Sequence, residues 1–284
     1  MPTLSQYLTT TQRLLHDANN NYWSQAELID YINDGRFRVV ADTGCNRTLQ
    51  TTWLSQGMET YAYGSVTGVN ITAGGSGFAD GTYALGLTGG DGTSAAGTYT
   101  CSGGAVVSAI ITTQGSGYTN TAPTVSFPSG GGSSATGVAG ILSANTFDTL
   151  NITLLWGNMR IPMGYQPYTE FNLKMRVWQS FQSRPVMHSC YGQQTVYVGP
   201  IPDQTYQVEF DTVVAPGALT NLAASDTISI PFTDPVPYYA AYFAKYKEQS
   251  YDEATRFLEE YNRRIGMAVR SAATRRIPYP YGRG

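Results

Sequence analysis

The chain has 284 residues, a formal net charge of −3 and a charged fraction of 13%, about half the usual share for a soluble globular chain. This length supports a proper core. No window approaches the roughly 20 apolar residues of a membrane span, and a pI near 5.4 argues against non-specific nucleic-acid binding by the whole surface. Of the 31 glycines, 20 lie between Gly64 and Gly140, a stretch with no Lys, Arg, Glu or His and only two acids, Asp80 and Asp91. The low charge is therefore a mixture of two kinds of sequence.

Residues 1–22 are polar and lack the apolar stretch of a secretory signal, so synthesis in the cytoplasm without export is expected. Leu4, Leu8 and Leu15 share one helical face and predict a helix over 3–18, broken at Asn19-Asn20-Asn21. Ser24 with Glu27 reads as a capping box opening a second helix over 24–43, with Leu28, Ile32 and Val39 on one face and Gly44 at its end. Leu49–Leu54 and Met58–Tyr63 read as strands about Ser55-Gln56-Gly57.

The glycine-rich stretch repeats itself at an offset of 40 residues. Ile71-Thr72-Ala73-Gly74-Gly75-Ser76-Gly77-Phe78 aligns with Ile111-Thr112-Thr113-Gln114-Gly115-Ser116-Gly117-Tyr118, and Gly92-Thr93-Ser94-Ala95 with Gly132-Ser133-Ser134-Ala135. Alternation at Tyr83, Leu85, Leu87 and at Thr124, Val125, Phe127 favours folded strands over a flexible linker. Residues 66–143 are therefore expected to form an inserted all-β domain of two similar halves.

Ordinary composition resumes in a β region over 145–215. Phe147–Trp156 alternates as a strand, Glu170–Phe181 reads as either a short helix or a strand, and Thr195–Val198 with Tyr206–Phe210 reads as a hairpin about Gly199-Pro200-Ile201-Pro202-Asp203. Pro235 and Pro237 open an aromatic helix over 237–249 with Tyr238, Tyr239, Tyr242, Phe243 and Tyr246. Ser250 with Glu253 caps a last helix over 251–272. From Tyr261 to Gly284 there are six arginines and no acid. The expected fold class is α+β: N- and C-terminal helical hairpins forming an α-helical core with 1–65 and 144–284, central β hairpins, and the inserted β domain.

Little in the chain points to catalysis. Cys45, Cys101 and Cys190 are odd in number and not in CxxC pairs, so neither a disulfide framework nor a zinc site is expected. The Gly-Ser-Gly turns lack the Lys-Ser/Thr of a phosphate loop. Asp30 and Asp34 lie one helical turn apart but lack a third ligand. His188 and Cys190 point the same way if they share a strand, yet nothing supplies an oxyanion hole. No catalytic residue, cofactor or metal is predicted. The tail Arg275, Arg276, Tyr279, Tyr281 and Arg283 pairs cations with a stiff Pro-Tyr-Pro-Tyr segment and reads as a docking segment.

Three stretches carry a resemblance: Trp23 to Gly35, Val196 to Asp203 with Tyr206 to Phe210, and Asp234 to Tyr242. Together they resemble the head-to-tail adaptor (connector) proteins of tailed bacteriophages, while the glycine-rich repeat is similar to Gly-Ser-Gly-Tyr modules on phage structural proteins. The resemblance implies a virion structural protein at the head–tail interface, assembled in the host cytoplasm. It implies a homo-oligomeric ring, dodecameric in the family, that links the portal protein to the tail nozzle or tail tube and continues the DNA channel. It further implies that the C-terminal tail docks in the portal and that helices bearing Tyr238, Tyr239, Tyr242, Phe243 and Tyr246 pack between subunits. Non-specific contact with packaged DNA is a lesser expectation, and no membrane partner is expected. The competing expectation is a tail-associated receptor- or glycan-binding protein that uses the β module.

Overall fold

The computed structural model describes residues 1–175, 181–192 and 194–274. In chain order, α1 (Leu4–Leu14) and α2 (Gln25–Thr43) precede β1 (Arg47–Leu54) and β2 (Thr60–Ala62). The glycine-rich stretch supplies β3 (Ser65–Ser76), β4 (Gly81–Thr88), β5 (Thr93–Ser102), β6 (Ala105–Ser116), β7 (Thr124–Ser126) and β8 (Ser133–Leu142). After it come β9 (Thr146–Trp156), β10 (Met159–Pro162), β11 (Gly164–Tyr165), α3 (Tyr168–Met175), β12 (Met187–Tyr191), β13 (Thr195–Gly199) and β14 (Tyr206–Val214). Two helices, α4 (Val236–Lys247) and α5 (Tyr251–Thr274), close the described chain.

The expected fold class is corrected. Strands account for 40% of the chain and helices for 27%, in three sheets of which one is a nearly closed barrel. Two of the three apolar clusters are built by strands, so the protein has no single α-helical core. The physical reason is burial: alternating strands such as β9 and β14 hide Ile152, Leu154, Val208 and Phe210 completely, and the nearly closed barrel curls around an apolar interior of its own. The chain divides into two compact units, 1–47 with 215–284 and 48–214.

In the first unit, α1, α2, α4 and α5 bury Leu4, Leu8, Leu28, Ile32, Val39, Ala240, Ala244 and Tyr261 against one another. A true capping box opens α1, at Thr3 and Gln6. At α2 the Ser24 hydroxyl accepts from the Glu27 N–H, but the Glu27 carboxylate reaches Lys247 of α4. Gly44 ends α2 in the left-handed conformation, with φ +61°. The connection before α4 is held by a buried ion pair. Arg36, 1% exposed, donates to both Asp226 carboxylate oxygens at 2.7 and 3.1 Å and to the Gly217 carbonyl at 2.7 Å. Tyr7 donates to Asp226 at 2.6 Å, and Ile228 N–H donates to it at 3.1 Å.

In the second unit, one sheet has the order β1-β14-β9-β10 and another β11-β12-β13-β2. The expected hairpin of Thr195–Val198 with Tyr206–Phe210 does not form: β13 pairs with β12 and β2, while β14 pairs with β9. Pro200 and Pro202 lie between them with no N–H to give a ladder, and the segment carries the chain from one sheet to the other. The undecided stretch at 170–181 is helical from Tyr168 to Met175.

The third sheet has the order β3-β8-β7-β4-β5-β6. Exchanging each strand for its equivalent 40 residues away reverses this order, so the barrel has a pseudo-twofold axis. The pairing is swapped, because the last strand of each copy lies on the first strand of the other. Ser76 faces Ser133 and Gly74 faces Ala135, while Ser116 faces Thr93 and Gln114 faces Ala95. The bulges follow the same symmetry, at Thr67 and Thr72 in β3 and at Val107 and Thr112 in β6. Two glycines make the swap fit. A Cβ on Gly132 would lie 2.2 Å from the Phe78 ring, and one on Gly92 would lie 2.5 Å from the Tyr118 ring. One position breaks the symmetry. Gln114, equivalent to Gly74, accepts from Ala62 N–H at 3.0 Å and from the Ser65 hydroxyl at 2.8 Å, and it donates to the Thr60 carbonyl. This ties the barrel to β2.

Candidate functional site

The sequence-predicted packing residues on α4 divide between two faces. Tyr239, Tyr242, Phe243 and Tyr246 form one run of ring contacts, with centroids 5.2 to 5.9 Å apart along Tyr239–Phe243, Tyr242–Phe243 and Tyr242–Tyr246. Three further rings extend the run: Tyr31 of α2 stacks on Phe243 at 5.9 Å, and Tyr251 and Tyr261 of α5 meet Tyr246 and Tyr239 at 5.4 and 5.0 Å. Such tilted and edge-to-face pairs exploit the ring quadrupole, each adding about 0.5–1.5 kcal/mol beyond area burial. Tyr261 is buried, whereas Tyr246 and Tyr251 are about half exposed at 52% and 55%. Helical spacing could have found Tyr31, which lies three residues after buried Leu28 on the same side of α2.

Tyr238 lies apart from that run. The Arg264 guanidinium sits 4.1 Å above its ring, in cation–π geometry. Arg264 also donates to Asp234 and to Glu260, and Glu260 takes two further bonds from Arg263 at 2.6 and 2.7 Å. Those Arg263 bonds, ahead of the others, hold the Glu260 carboxyl down at about 2. Tyr238 also lines two cavities of about 470 Å³ each. One is formed with Tyr7, Thr10 and Pro237, the other with Leu14, His16, Arg256 and Phe257. The predicted docking residues Arg275, Arg276, Tyr279, Tyr281 and Arg283 lie outside the described residues.

His188 and Cys190 both sit on β12, two residues apart. Burial pulls the imidazole down to about 4, an approach of the Met163 backbone opposing it only in part, and pushes the Cys190 thiol up to about 11. A thiolate–imidazolium pair needs the opposite shifts. No hydrogen bond of normal geometry engages either ring nitrogen of His188, or the Ser189 hydroxyl, among the described residues. On the neighbouring face Tyr168, Tyr191 and Tyr197 pack together at 4.5 to 6.3 Å. Asp30 and Asp34 are both exposed on α2. Among the described residues no group of three His, Cys, Asp or Glu is placed to hold a metal ion.

The barrel carries a cavity of about 360 Å³ where β3 and β6 approach, lined by Gln56, Asn70, Ser108, Gln204 and Thr205 with Val69, Ile71, Val107 and Ala109. Every polar group in that lining is neutral. Opposite in character is Asp91, whose carboxylate accepts from the Thr119 hydroxyl and from the N–H groups of Thr119 and Asn120. The Thr119 hydroxyl first, then the backbone N–H groups, hold this carboxyl well below the usual range, as expected of a loop staple.

No protein-family model matches the chain, and comparison with curated proteins returns no match.

Proposed function

We propose that this chain is a virion structural protein, a head-to-tail adaptor whose copies form a ring linking the portal protein to the tail nozzle or tail tube around the DNA channel. The observation that carries the proposal is the aromatic run on α4, which reaches from Tyr31 to Tyr251 and ends in half-exposed rings. Exposed apolar patches of this kind mark protein–protein contacts, and Tyr is among the residues that anchor them. The three segments that resemble adaptors include the starts of α2 and α4, the helices that bear most of these rings. Function then needs no chemistry within the chain, only surfaces that position neighbours. Negative-stain images of purified particles test the proposal. A ring of this chain below the portal is the expected result, and particles whose head–tail junction lacks it would refute it.

The second reading is a tail-associated protein that binds a receptor or glycan through the barrel. It is favoured by the cavity at the β3–β6 approach, where the side chains of Gln56, Asn70 and Ser108 have no hydrogen-bond partner among the described residues. Amides and hydroxyls without a charge suit a neutral polyhydroxylated ligand. Removing residues 66–143 separates the two readings. Loss of particle assembly supports an adaptor role for the module, whereas normal assembly with lost host adsorption supports the receptor reading.

A further inference from the structure

We infer that adjacent copies of this chain meet head to tail through two specific helix ridges, the acidic ridge of α2 and the basic ridge of α5. The inference rests on the ring reading above and supplies the contact that would close it. On α2, the side turned away from buried Leu28, Ile32 and Val39 carries Asp30, Asp34 and Phe37, at i, i+4 and i+7. Both carboxylates are exposed, and neither makes a hydrogen bond or ion pair among the described residues. Phe37 is 47% exposed. The next cation along the helix, Arg38, is paired with Asp42 at 3.1 Å and does not neutralise the ridge.

On α5, the side turned away from buried Ala254, Tyr261 and Ala268 carries Arg263, Met267 and Arg270, again at i, i+4 and i+7. All three are exposed. The first half of α5 is mixed, with Asp252, Arg256 and Glu259, but from Tyr261 to Thr274 the helix has three arginines and no acid. Glu260 is shared by Arg263 and Arg264, and Arg264 also meets Asp234, so two carboxylates from outside the stretch stand against the three arginines of 261–274.

The two ridges therefore match in spacing and are opposite in charge. Rows at i, i+4 are the ridges that interdigitate when helices pack, and an apolar residue in each, Phe37 and Met267, gives the contact something to bury. Like ridges repel, so acid against acid is disfavoured, and the pairing is α2 of one copy with α5 of the next. A contact between unlike surfaces is heterologous and closes into a ring when its rotation permits.

Charge exchange tests this directly. One variant carries Asp30→Lys and Asp34→Lys, the other Arg263→Glu and Arg270→Glu, with circular dichroism melting to confirm that both fold. Self-association is read by analytical ultracentrifugation for each variant alone and for an equimolar mixture. The wild-type chain is expected to assemble and to weaken as salt rises. Each variant alone should lose about tenfold or more in self-association, and the mixture should recover it, because contacts between unlike variants join ridges of opposite sign, both reversed at one contact and both intact at the next. If both variants assemble like the wild-type chain, or if the mixture fails to recover, the ridge pairing is wrong while the ring reading stands. A wild-type chain that stays monomeric, alone and when mixed with portal rings, overturns the ring reading and this contact together. If a reversed variant melts out, Asp30→Asn/Asp34→Asn and Arg263→Gln/Arg270→Gln replace the pair. Flattening of the salt dependence is then expected, and an unchanged salt dependence would refute the pairing.

Discussion

Replacing Asp226 with Ala removes the partner of a guanidinium that has no other route to solvent. Arg36 is 1% exposed and directs two of its donors at Asp226, at 2.7 and 3.1 Å. Its remaining contacts, Asn33 at 3.0 Å and the Gly217 carbonyl at 2.7 Å, are neutral oxygens and leave the charge uncompensated. Breaking one side of a buried ion pair costs about 3–5 kcal/mol, far more than the pair is worth against a well-packed apolar substitute. For a helical unit of this size that lowers the melting temperature by an amount on the order of 10–20 °C. The double substitution Arg36→Met/Asp226→Ala should recover part of the loss, with a coupling energy of about 2–3 kcal/mol. Equilibrium urea unfolding followed at the helix band of the circular dichroism spectrum measures all three proteins. The pair also sets a pH dependence. Burial pushes the Asp226 carboxyl up, but hydrogen bonds from Arg36, Tyr7 and Ile228 outweigh it and hold the group below its usual value. A carboxyl depressed in the folded state adds stability above its unfolded pKa of about 3.9 and loses it as pH falls through the folded value. The single variant should therefore lack the wild-type fall in stability below pH of about 4. A loss of under about 1 kcal/mol at neutral pH, or no recovery in the double variant, would show that the guanidinium finds water or another partner and refute the argument.

Other measurements bear on the barrel, the buried histidine and the tail. Gly92→Ala and Gly132→Ala should each lower barrel stability by about 1–3 kcal/mol, and by similar amounts, because each new methyl meets an aromatic ring across the swapped pairing. Gly103→Ala, with φ +62° and open space around it, should cost only the left-handed backbone penalty of about 1–2 kcal/mol. Thermal melting of the three variants checks the ranking. His188 is buried neutral with its pKa near 4, so the unfolded chain takes up a proton first as pH falls below about 6.5. Stability should then drop by about 3 kcal/mol between pH of about 6.5 and 4, and His188→Met should flatten that part of the urea-unfolding profile. Under the adaptor proposal, deletion of Arg275 to Gly284 should abolish co-sedimentation with portal rings without changing the melting curve. Undiminished portal binding would remove the role proposed for the tail.

Periodicity and capping are local properties, and they are written in the residues themselves. Ser24, Leu28, Ile32 and Gly44 mark a helix with its cap, its buried face and its stop, and α2 runs from Gln25 to Thr43 between them. The offset of 40 residues is visible in the identities of the two Gly-Ser-Gly-aromatic segments, and the bounds of β3 and β6, and of β5 and β8, differ by that same offset. The aromatic spacing on α4 gathers Tyr239, Tyr242, Phe243 and Tyr246, but it does not reveal that Tyr238 turns to Arg264 instead.

What the chain could not announce is which distant elements meet. Alternation at Thr195–Val198 and at Tyr206–Phe210 correctly marks two strands, yet a strand's partner depends on backbone groups elsewhere, and these two belong to different sheets. The same non-locality hides the exchange of strands between the two copies of the repeat. Strand β5 pairs with β4 of its own copy, and a β5 whose other edge met β3 instead of β6 would satisfy every local rule equally well. It also hides Arg36 and Asp226, 190 residues apart in sequence, where only a shared core makes a charge on each necessary. The expectation of an α-helical core fails for this reason. Helical signals at the two ends are strong because a helix satisfies its hydrogen bonds within itself. The strands, which make up the larger part of the regular structure, acquire their hydrogen bonds and their burial only when the tertiary fold brings them together.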